Sequence, residues 1–188
     1  MMQKLWQKKP KLSYNEQVFD IVQFGSSVKE GAKPNDIDIA VIFKQGSVKE
    51  QLEGAQKIKR QLEKISELPI HIKPFDLYSF FDVGNFAKEN VLFYGKSLIY
   101  GDYFAKRFGL IPKTYLFYSL NDMDKKDKVR FNYALSGRVG SYGLIRKYGG
   151  RILRPGLVEV FPEYEDLFFD SLKKITNKIV LQKKFDLA

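Results

Sequence analysis

Alternating and continuous runs of apolar residues divide the first half of the chain into predicted strands and helices. Apolar residues crowd Val18–Phe24 and Asp36–Phe43, and both runs are rich in the β-branched residues that favour strands. A third short run, Ile70–Phe75, follows Pro69 and is also predicted to be a strand. Ser26–Gly31 lies between the first two runs and is predicted to form a tight turn or a single helical turn.

A helical pattern separates the second and third runs. Ser47 followed by Glu50 has the spacing of a capping box, which predicts a helix start at this point. Apolar residues then recur at intervals of three and four, as on one face of an amphipathic helix: Val48, Leu52, Ala55, Ile58, Leu62 and Ile65. A loop within Asp76–Asn85 and a further helix over Phe86–Tyr94 are predicted next.

The second half has shorter patterns that glycine and proline interrupt. Pro112 is expected to interrupt regular structure after a short helix over Tyr103–Phe108. The remaining predicted elements are a helix over Lys125–Ser136, a short helix over Gly143–Tyr148, a hairpin over Arg151–Val160 around Pro155-Gly156, a helix over Glu163–Thr176 and a strand over Ile179–Leu187. Helices followed by a basic hairpin indicate a small α+β module that resembles a winged helix.

Composition bounds the class of protein. The chain has 188 residues, 44% of them hydrophobic, which is enough for one or two small globular domains. It has no cysteine, so disulfides and thiolate metal sites are excluded. No apolar run approaches the ~18–20 residues of a membrane-spanning helix, and the first residues lack the apolar stretch of a secretory signal. We therefore expect no membrane association and a cytoplasmic location.

The net charge of +10 is unevenly distributed. Residues 1–100 carry 15 Lys/Arg and 12 Asp/Glu, whereas residues 101–188 carry 17 and 10. Lys125–Arg154 alone has nine basic residues and one acidic residue, with several aromatic residues between them. Such a segment is either a solvated basic face or a binding surface for RNA or DNA, and its candidate acceptor-binding residues are Arg130, Arg138, Arg146, Lys147, Arg151 and Arg154.

The strongest chemical signal lies between the first two strands. Asp36 and Asp38 are two residues apart at the start of a strand, so their carboxylates point to the same side. Two carboxylates in an apolar strand repel each other and resist burial, and a hard divalent cation such as Mg²⁺ relieves both effects. Gly25-Ser26, at the end of the preceding strand, can present backbone N–H groups and a hydroxyl to a phosphate.

Together these residues resemble the DNA polymerase β-like nucleotidyltransferase superfamily, and especially its minimal members. The family signature is a hydrophobic strand, Gly-Ser, about ten residues, and Asp-x-Asp opening the next strand; Gly25, Ser26, Asp36 and Asp38 match these positions. Gly95–Tyr100 resembles the segment that closes many such domains. The resemblance implies a nucleotidyltransferase domain over residues 1–102, with a mixed sheet flanked by helices, and a smaller basic α+β module over residues 103–188.

The resemblance also implies an activity and the residues that carry it. We expect transfer of a nucleoside monophosphate from an NTP, in the first instance ATP, to a hydroxyl, with Mg²⁺ or Mn²⁺ and release of pyrophosphate. Asp36 and Asp38 would bind the metal, and the nucleotide would be held by Gly25, Ser26, Ser27 and Lys29. The acceptor can be RNA, a protein hydroxyl or a small molecule.

Family members generally have a third acid on a neighbouring strand, and this position is ambiguous here. Strand alternation places His71 and Lys73 on the side of the active site. Asp76 would face the same way as the buried isoleucines of this strand, unless Pro74 introduces a bulge or a bend. Asp76 is one candidate for the third acid or general base. His71 is the other, as a replacement at the same position or as a base. If neither serves, the protein is a catalytically weak relative that binds nucleic acid, or an antitoxin acting on a partner toxin.

Overall fold

The computed structural model describes residues 4–82 and 87–187. Within them the chain forms two compact units, the first ending at Leu110 and the second spanning Ile111–Leu187. The first unit extends past residue 102, where the sequence placed its end, because Phe104 is fully buried in the same apolar cluster as Val22 and Val91. The predicted loop over Asp76–Asn85 and the start of the predicted helix at Phe86 lie partly outside the described residues.

The first unit is built around a four-stranded sheet with the order β3-β2-β1-β4. β1 is antiparallel to β2 and β4, and β2 is parallel to β3, so the sheet is mixed. Its elements are α1 (Leu5–Lys8), β1 (Val18–Phe24), a 3₁₀ turn (Gly25–Val28), β2 (Ile37–Phe43), α2 (Val48–Glu63), β3 (Ile70–Asp76), α3 (Leu77–Phe80), α4 (Ala87–Tyr94), β4 (Lys96–Ser97) and a second 3₁₀ turn (Phe104–Phe108). The predicted strands and the predicted mixed architecture are confirmed.

Helix α2 is the crossover that lets β2 and β3 run parallel. The Ser47 side chain accepts a hydrogen bond from the Glu50 N–H, and the Glu50 carboxylate accepts one from the Ser47 N–H, so the predicted capping box is present. The buried face of the helix was predicted only in part. Ala55, Ile58 and Leu62 are buried with Gln51, whereas the apolar side chains at both ends of the predicted stripe are exposed: Val48, Leu52 and Ile65.

Each face of the first sheet has its own apolar cluster. On one face Ile39, Val41 and Ile70 pack against the buried side of α2. On the other face Val22, Ala40 and Ile42 pack with residues of α3, α4 and the second 3₁₀ turn. Asp38 belongs to this second face by strand alternation, at the end of β2 that is nearest to the Gly25–Val28 turn.

The second unit contains another four-stranded sheet, with the order β10-β5-β9-β8. Its elements are β5 (Leu110–Tyr118), α5 (Lys125–Ser136), β6 (Gly137–Arg138), β7 (Ser141–Tyr142), α6 (Leu144–Tyr148), β8 (Arg151–Arg154), β9 (Leu157–Val160), a 3₁₀ turn (Pro162–Tyr164), α7 (Glu165–Lys173) and β10 (Ile179–Leu187). The hairpin around Pro155-Gly156 is confirmed by the antiparallel pairing of β8 with β9. The similarity to a winged helix stays a prediction.

Strand β5 was not predicted, because Pro112 was expected to interrupt regular structure. Pro112 is compatible with the strand, since pairing with β9 starts only at Thr114 and extends to Phe117. The core of this unit lies between its sheet and its helices, where Leu116, Phe131 and Phe168 are fully buried. Phe131, one of the aromatic residues of the basic segment Lys125–Arg154, is therefore a core residue.

Candidate active site

Two carboxylates stand together where β2 begins. Asp36 immediately precedes the strand and Asp38 is its second residue, so both side chains lie on the same side of the sheet. Ile37 and Ile39 alternate with them and are fully buried on the opposite face. Burial of these two isoleucines fixes the direction of both carboxylates.

The register of the parallel pair β2–β3 brings His71 to this position. Ile37 is opposite Ile70 and Asp38 is opposite His71. His71 Nδ1 lies 3.1 Å from Asp36 Oδ2. One ligand atom from each of Asp36, Asp38 and His71 lies within 4.8 Å of the others, which makes this cluster a candidate metal centre.

Asp76 is not part of this cluster. The β2–β3 register continues without a shift through Pro74 to the pair Phe43 and Asp76, so Pro74 introduces no bulge and does not change the face to which Asp76 belongs. Asp76 is five residues beyond His71, which corresponds to about 16 Å along the strand. Its carboxylate instead caps α3 by accepting hydrogen bonds from the backbone N–H groups of Tyr78 and Ser79.

The electrostatics at Asp38 favour a bound cation. Burial raises the pKa of the Asp38 carboxyl above its ordinary value, and the neighbouring Asp36 carboxylate raises it further. The charges of His71 and Lys73 act in the opposite direction but do not outweigh these two effects. A divalent cation at this cluster would instead lower the pKa of Asp38, because both carboxylates would then face a positive charge.

Gly25 allows the turn after β1 to lie directly against Asp38. Its φ of 75° is in the left-handed region. A Cβ at this position would be 2.5 Å from Asp38 Oδ2, so the end of the Asp38 side chain would have to move. Glycine at position 25 therefore suits the left-handed backbone and lets the Asp38 carboxylate keep its position against the turn.

The other predicted nucleotide-binding residues have different surroundings. Ser26 is exposed, and its carbonyl oxygen accepts a hydrogen bond from the Lys29 N–H. Ser27 is buried, and its hydroxyl donates to the Phe24 carbonyl and accepts from the Gln23 side chain. The Ser27 hydroxyl thus stabilises the turn, and Ser26 has the hydroxyl that solvent can reach.

The Lys29 ammonium group lies 4.5 Å from the centre of the Tyr94 ring, a cation–π distance. This contact places the side chain next to α4, an arrangement that the sequence did not indicate because Tyr94 is 65 residues further along the chain. The next residue, Glu30, forms an ion pair with Lys4. The turn is therefore fixed on both sides by charged side chains.

A further carboxylate, Asp20, is buried in β1 away from this cluster. Its Oδ1 accepts hydrogen bonds from the Ser97 hydroxyl and the Ile21 N–H, and its Oδ2 lies 3.8 Å from Arg107 Nε. Burial raises the pKa of Asp20 to about 6, although these hydrogen bonds and Arg107 oppose the shift. In the sequence, Asp20 is noticeable as an acidic residue inside the apolar run of β1, but the sequence does not indicate which side chains bind its carboxylate.

The donor set at Asp36, Asp38 and His71 fits a divalent cation. Two carboxylates offer the oxygen ligands that Mg²⁺ and Mn²⁺ accept, and an imidazole is an additional ligand for Mn²⁺. All three side chains are partly or fully accessible, so water and a substrate phosphate can reach the remaining coordination positions. The residues that are present therefore suit the metal that the family resemblance implies.

In the second unit, the six basic residues predicted to bind an acceptor are all exposed: Arg130, Arg138, Arg146, Lys147, Arg151 and Arg154. The Arg146 guanidinium lies 4.2 Å from the centre of the Tyr142 ring, and 66% of the Tyr142 surface is accessible. Arg151 has a structural partner, since its guanidinium binds the Glu159 carboxylate at 3.2 Å.

A mixed sheet with a glycine-serine turn against two strand carboxylates is the arrangement of a nucleotidyltransferase fold. The family model described as a nucleotidyltransferase domain matches residues 4–98, about half of the chain. The chain therefore belongs to this family, and the resemblance to the polymerase β-like superfamily is confirmed.

No curated protein and no solved structure matches the chain. Among the residues that the structure describes, no helix is both long and apolar enough to cross a membrane.

Proposed function

We propose that the protein transfers a nucleoside monophosphate from an NTP to a hydroxyl group, with Mg²⁺ or Mn²⁺ and release of pyrophosphate. The observation that carries this proposal is the cluster of Asp36, Asp38 and His71 beside the Gly25 turn. The family assignment supports nucleotidyl transfer in general, and this cluster supplies groups suited to a metal-bound triphosphate.

The residues of the site have separate tasks in this reaction. Asp36 and Asp38 would hold the cation, which neutralises charge on the phosphates when it is bound. Ser26 and the backbone of the turn would orient the triphosphate, because the turn lies in contact with Asp38. Such catalysis depends mainly on orientation and charge neutralisation, so few side chains need to exchange protons.

The bond changes are those of a substitution at phosphorus. The acceptor oxygen forms a bond to the α-phosphorus while the bond from this phosphorus to the bridging oxygen of the β-phosphate breaks. Pyrophosphate leaves, and the hydroxyl proton passes to water, which reaches the exposed side of the cluster at His71. Asp76 takes no part in this scheme, because its carboxylate caps α3.

The experiment is incubation with an α-labelled NTP and Mg²⁺ or Mn²⁺, with measurement of pyrophosphate and of label on an acceptor. Asp36→Asn and Asp38→Asn should abolish metal-dependent turnover. Both variants should still fold, since each removes one of two mutually repelling carboxylates. Asp124→Asn is the matched control, because Asp124 caps α5 and asparagine caps a helix equally well. Equal turnover in the wild type and both site variants would disprove the proposal.

A second candidate function is binding of a single-stranded nucleic acid by the basic segment Lys125–Arg154. It is favoured by the exposed Tyr142 ring with the Arg146 guanidinium against it, since aromatic rings stack on bases and arginine contacts phosphate. Binding to a fluorescent oligonucleotide should weaken steeply with salt.

The variants Arg146→Ala and Arg154→Ala should each reduce the slope of log affinity against log salt by about one. Lys49→Ala, an exposed substitution in the first unit, is the control and should leave the slope unchanged. Affinity that does not respond to salt would exclude this second function.

A further inference from the structure

We propose that His71 is a direct ligand of the catalytic cation, and that the site therefore prefers Mn²⁺ to Mg²⁺. This inference rests on the proposed function, since it concerns the metal that the transfer reaction uses. It goes beyond that function because it assigns the imidazole a coordinating role and gives the site a metal preference.

The spacing of the ligand atoms matches coordination of a single ion. In an octahedral site with bonds of about 2.1 Å, neighbouring ligand atoms are about 3 Å apart. His71 Nδ1 and Asp36 Oδ2 are 3.1 Å apart, so they are already at the separation of two adjacent ligands. Asp38 is next to His71 across the strand pair and supplies a third ligand atom within 4.8 Å of both.

Within residues 4–82 and 87–187, no other carboxylate completes this site. Asp36, Asp38 and His71 are the only group of three or more metal-ligating side chains of this kind found there. Lys73 lies two residues after His71 on the same side of β3 and adds a positive charge beside the cluster rather than a ligand for a cation. His71 is therefore the residue of β3 that can coordinate a cation held by Asp36 and Asp38.

An imidazole ligand changes the metal preference. Mg²⁺ has a strong preference for oxygen ligands and retains several waters, so the nitrogen of His71 adds little to its affinity. Mn²⁺ accepts carboxylate and water oxygens equally well, and it gains more from an imidazole nitrogen in the same octahedral geometry. A site with two carboxylates and one imidazole therefore discriminates between these ions, whereas three carboxylates would not.

The chain has a single histidine, so coordination by its side chain can be detected directly. Mn²⁺ is added to tag-free protein with a non-hydrolysable NTP, and pulsed electron paramagnetic resonance measures coupling of the metal to ¹⁴N of an imidazole. Mn²⁺ and Mg²⁺ affinities are measured in parallel by competition. The wild type should show imidazole coupling, and His71→Asn should lose it.

A second variant separates coordination from folding. His71→Asp places a third carboxylate at an exposed strand position, so the protein should remain folded and still bind metal. Its ratio of Mn²⁺ to Mg²⁺ affinity should fall by about tenfold relative to the wild type. Lys73→Gln is the control, because it changes a neighbouring charge on β3 without changing a ligand, and it should retain the imidazole coupling.

The outcomes distinguish this inference from the function on which it rests. Bound Mn²⁺ without imidazole coupling, together with an unchanged affinity ratio in His71→Asp, would overturn the role of His71 and leave nucleotidyl transfer intact. Absence of any binding of Mn²⁺ or Mg²⁺, with or without the nucleotide, would overturn both. Imidazole coupling together with the changed ratio supports the inference.

Discussion

Replacement of Gly25 by alanine tests whether the turn and the carboxylates form one site. The new Cβ would be 2.5 Å from Asp38 Oδ2, whereas ordinary contacts begin near 3.4 Å. The carboxylate or the turn must therefore move by about 1 Å, and a displacement of this size at a reacting centre lowers turnover by about 100-fold. The left-handed backbone at position 25 adds a destabilisation of about 1–2 kcal/mol for any residue with a Cβ.

Gly109→Ala is the matched control for this substitution. Gly109 has a similar φ of 69°, but a Cβ there would meet no atom within 4 Å. Both variants should lose about 1–2 kcal/mol in the free energy of unfolding, measured with urea, because both place alanine in the left-handed region. Only Gly25→Ala should also lose metal affinity, measured by Mn²⁺ titration, and turnover, measured as pyrophosphate release.

The comparison of these two variants can refute the reasoning in a specific way. Gly25→Ala with wild-type metal affinity and turnover would mean that Asp38 does not depend on the position of the turn. Equal losses of metal affinity in Gly25→Ala and Gly109→Ala would attribute the effect to general destabilisation. Either result would remove the geometric link between the Gly25–Val28 turn and the carboxylates.

Three further substitutions test other parts of the structure. Burial raises the pKa of Asp20 from 3.8 to about 6, so the free energy of unfolding should fall by about 3 kcal/mol as the pH rises from about 4 to above 6. In urea unfolding, Asp20→Asn should remove this pH dependence. A wild-type free energy of unfolding that rises over the same pH range would contradict the assignment. Ser47→Ala should lower the stability by about 1 kcal/mol through loss of the capping box, while Ser47→Asp retains it; an unchanged melting temperature for Ser47→Ala would argue against the cap. Asp76→Asn should keep full turnover, since asparagine still caps α3; a loss as large as that of Asp36→Asn would show that Asp76 acts at the active site.

The strands of the first unit were predictable because each is a short apolar run between residues that break regular structure. β1 has the predicted bounds, Val18–Phe24, and β2 differs by one residue. The start of α2 was predictable from a local hydrogen-bonding motif, the capping box. The buried face of α2 was less predictable, because Gln51 is buried by the surrounding fold while the more apolar Leu52 is exposed.

The second unit shows where local patterns are insufficient. β5 pairs with β9, which lies about 40 residues further along the chain, and its first residues lack this pairing and tolerate Pro112. Nothing near Leu110–Tyr118 in the sequence indicates either pairing partner. Helices α5 and α6 and the β8–β9 hairpin were predictable, since each depends on contacts between residues close in the chain.

The choice between His71 and Asp76 depended on a register that the sequence left open. Both residues are on β3, and only a bulge or a bend at Pro74 could have turned the side chain of Asp76 to the face of the sheet that carries Asp38. The structure has a continuous register from Ile37 opposite Ile70 to Phe43 opposite Asp76, so Asp76 stays on the face that strict alternation gives it. His71 is consequently the residue of β3 that lies beside Asp38.

Hydrophobic packing is what holds His71 at this position. Side chains of a strand alternate between faces, so a shift of β3 by one residue would expose Ile70 and turn His71 toward α2. Ile70 is 2% exposed and packs in the same cluster as Ile39 and Ile58, so this shift would remove a large apolar side chain from the core and bury an imidazole in its place. The composition of the candidate metal site is therefore determined by the packing on the opposite face of the sheet.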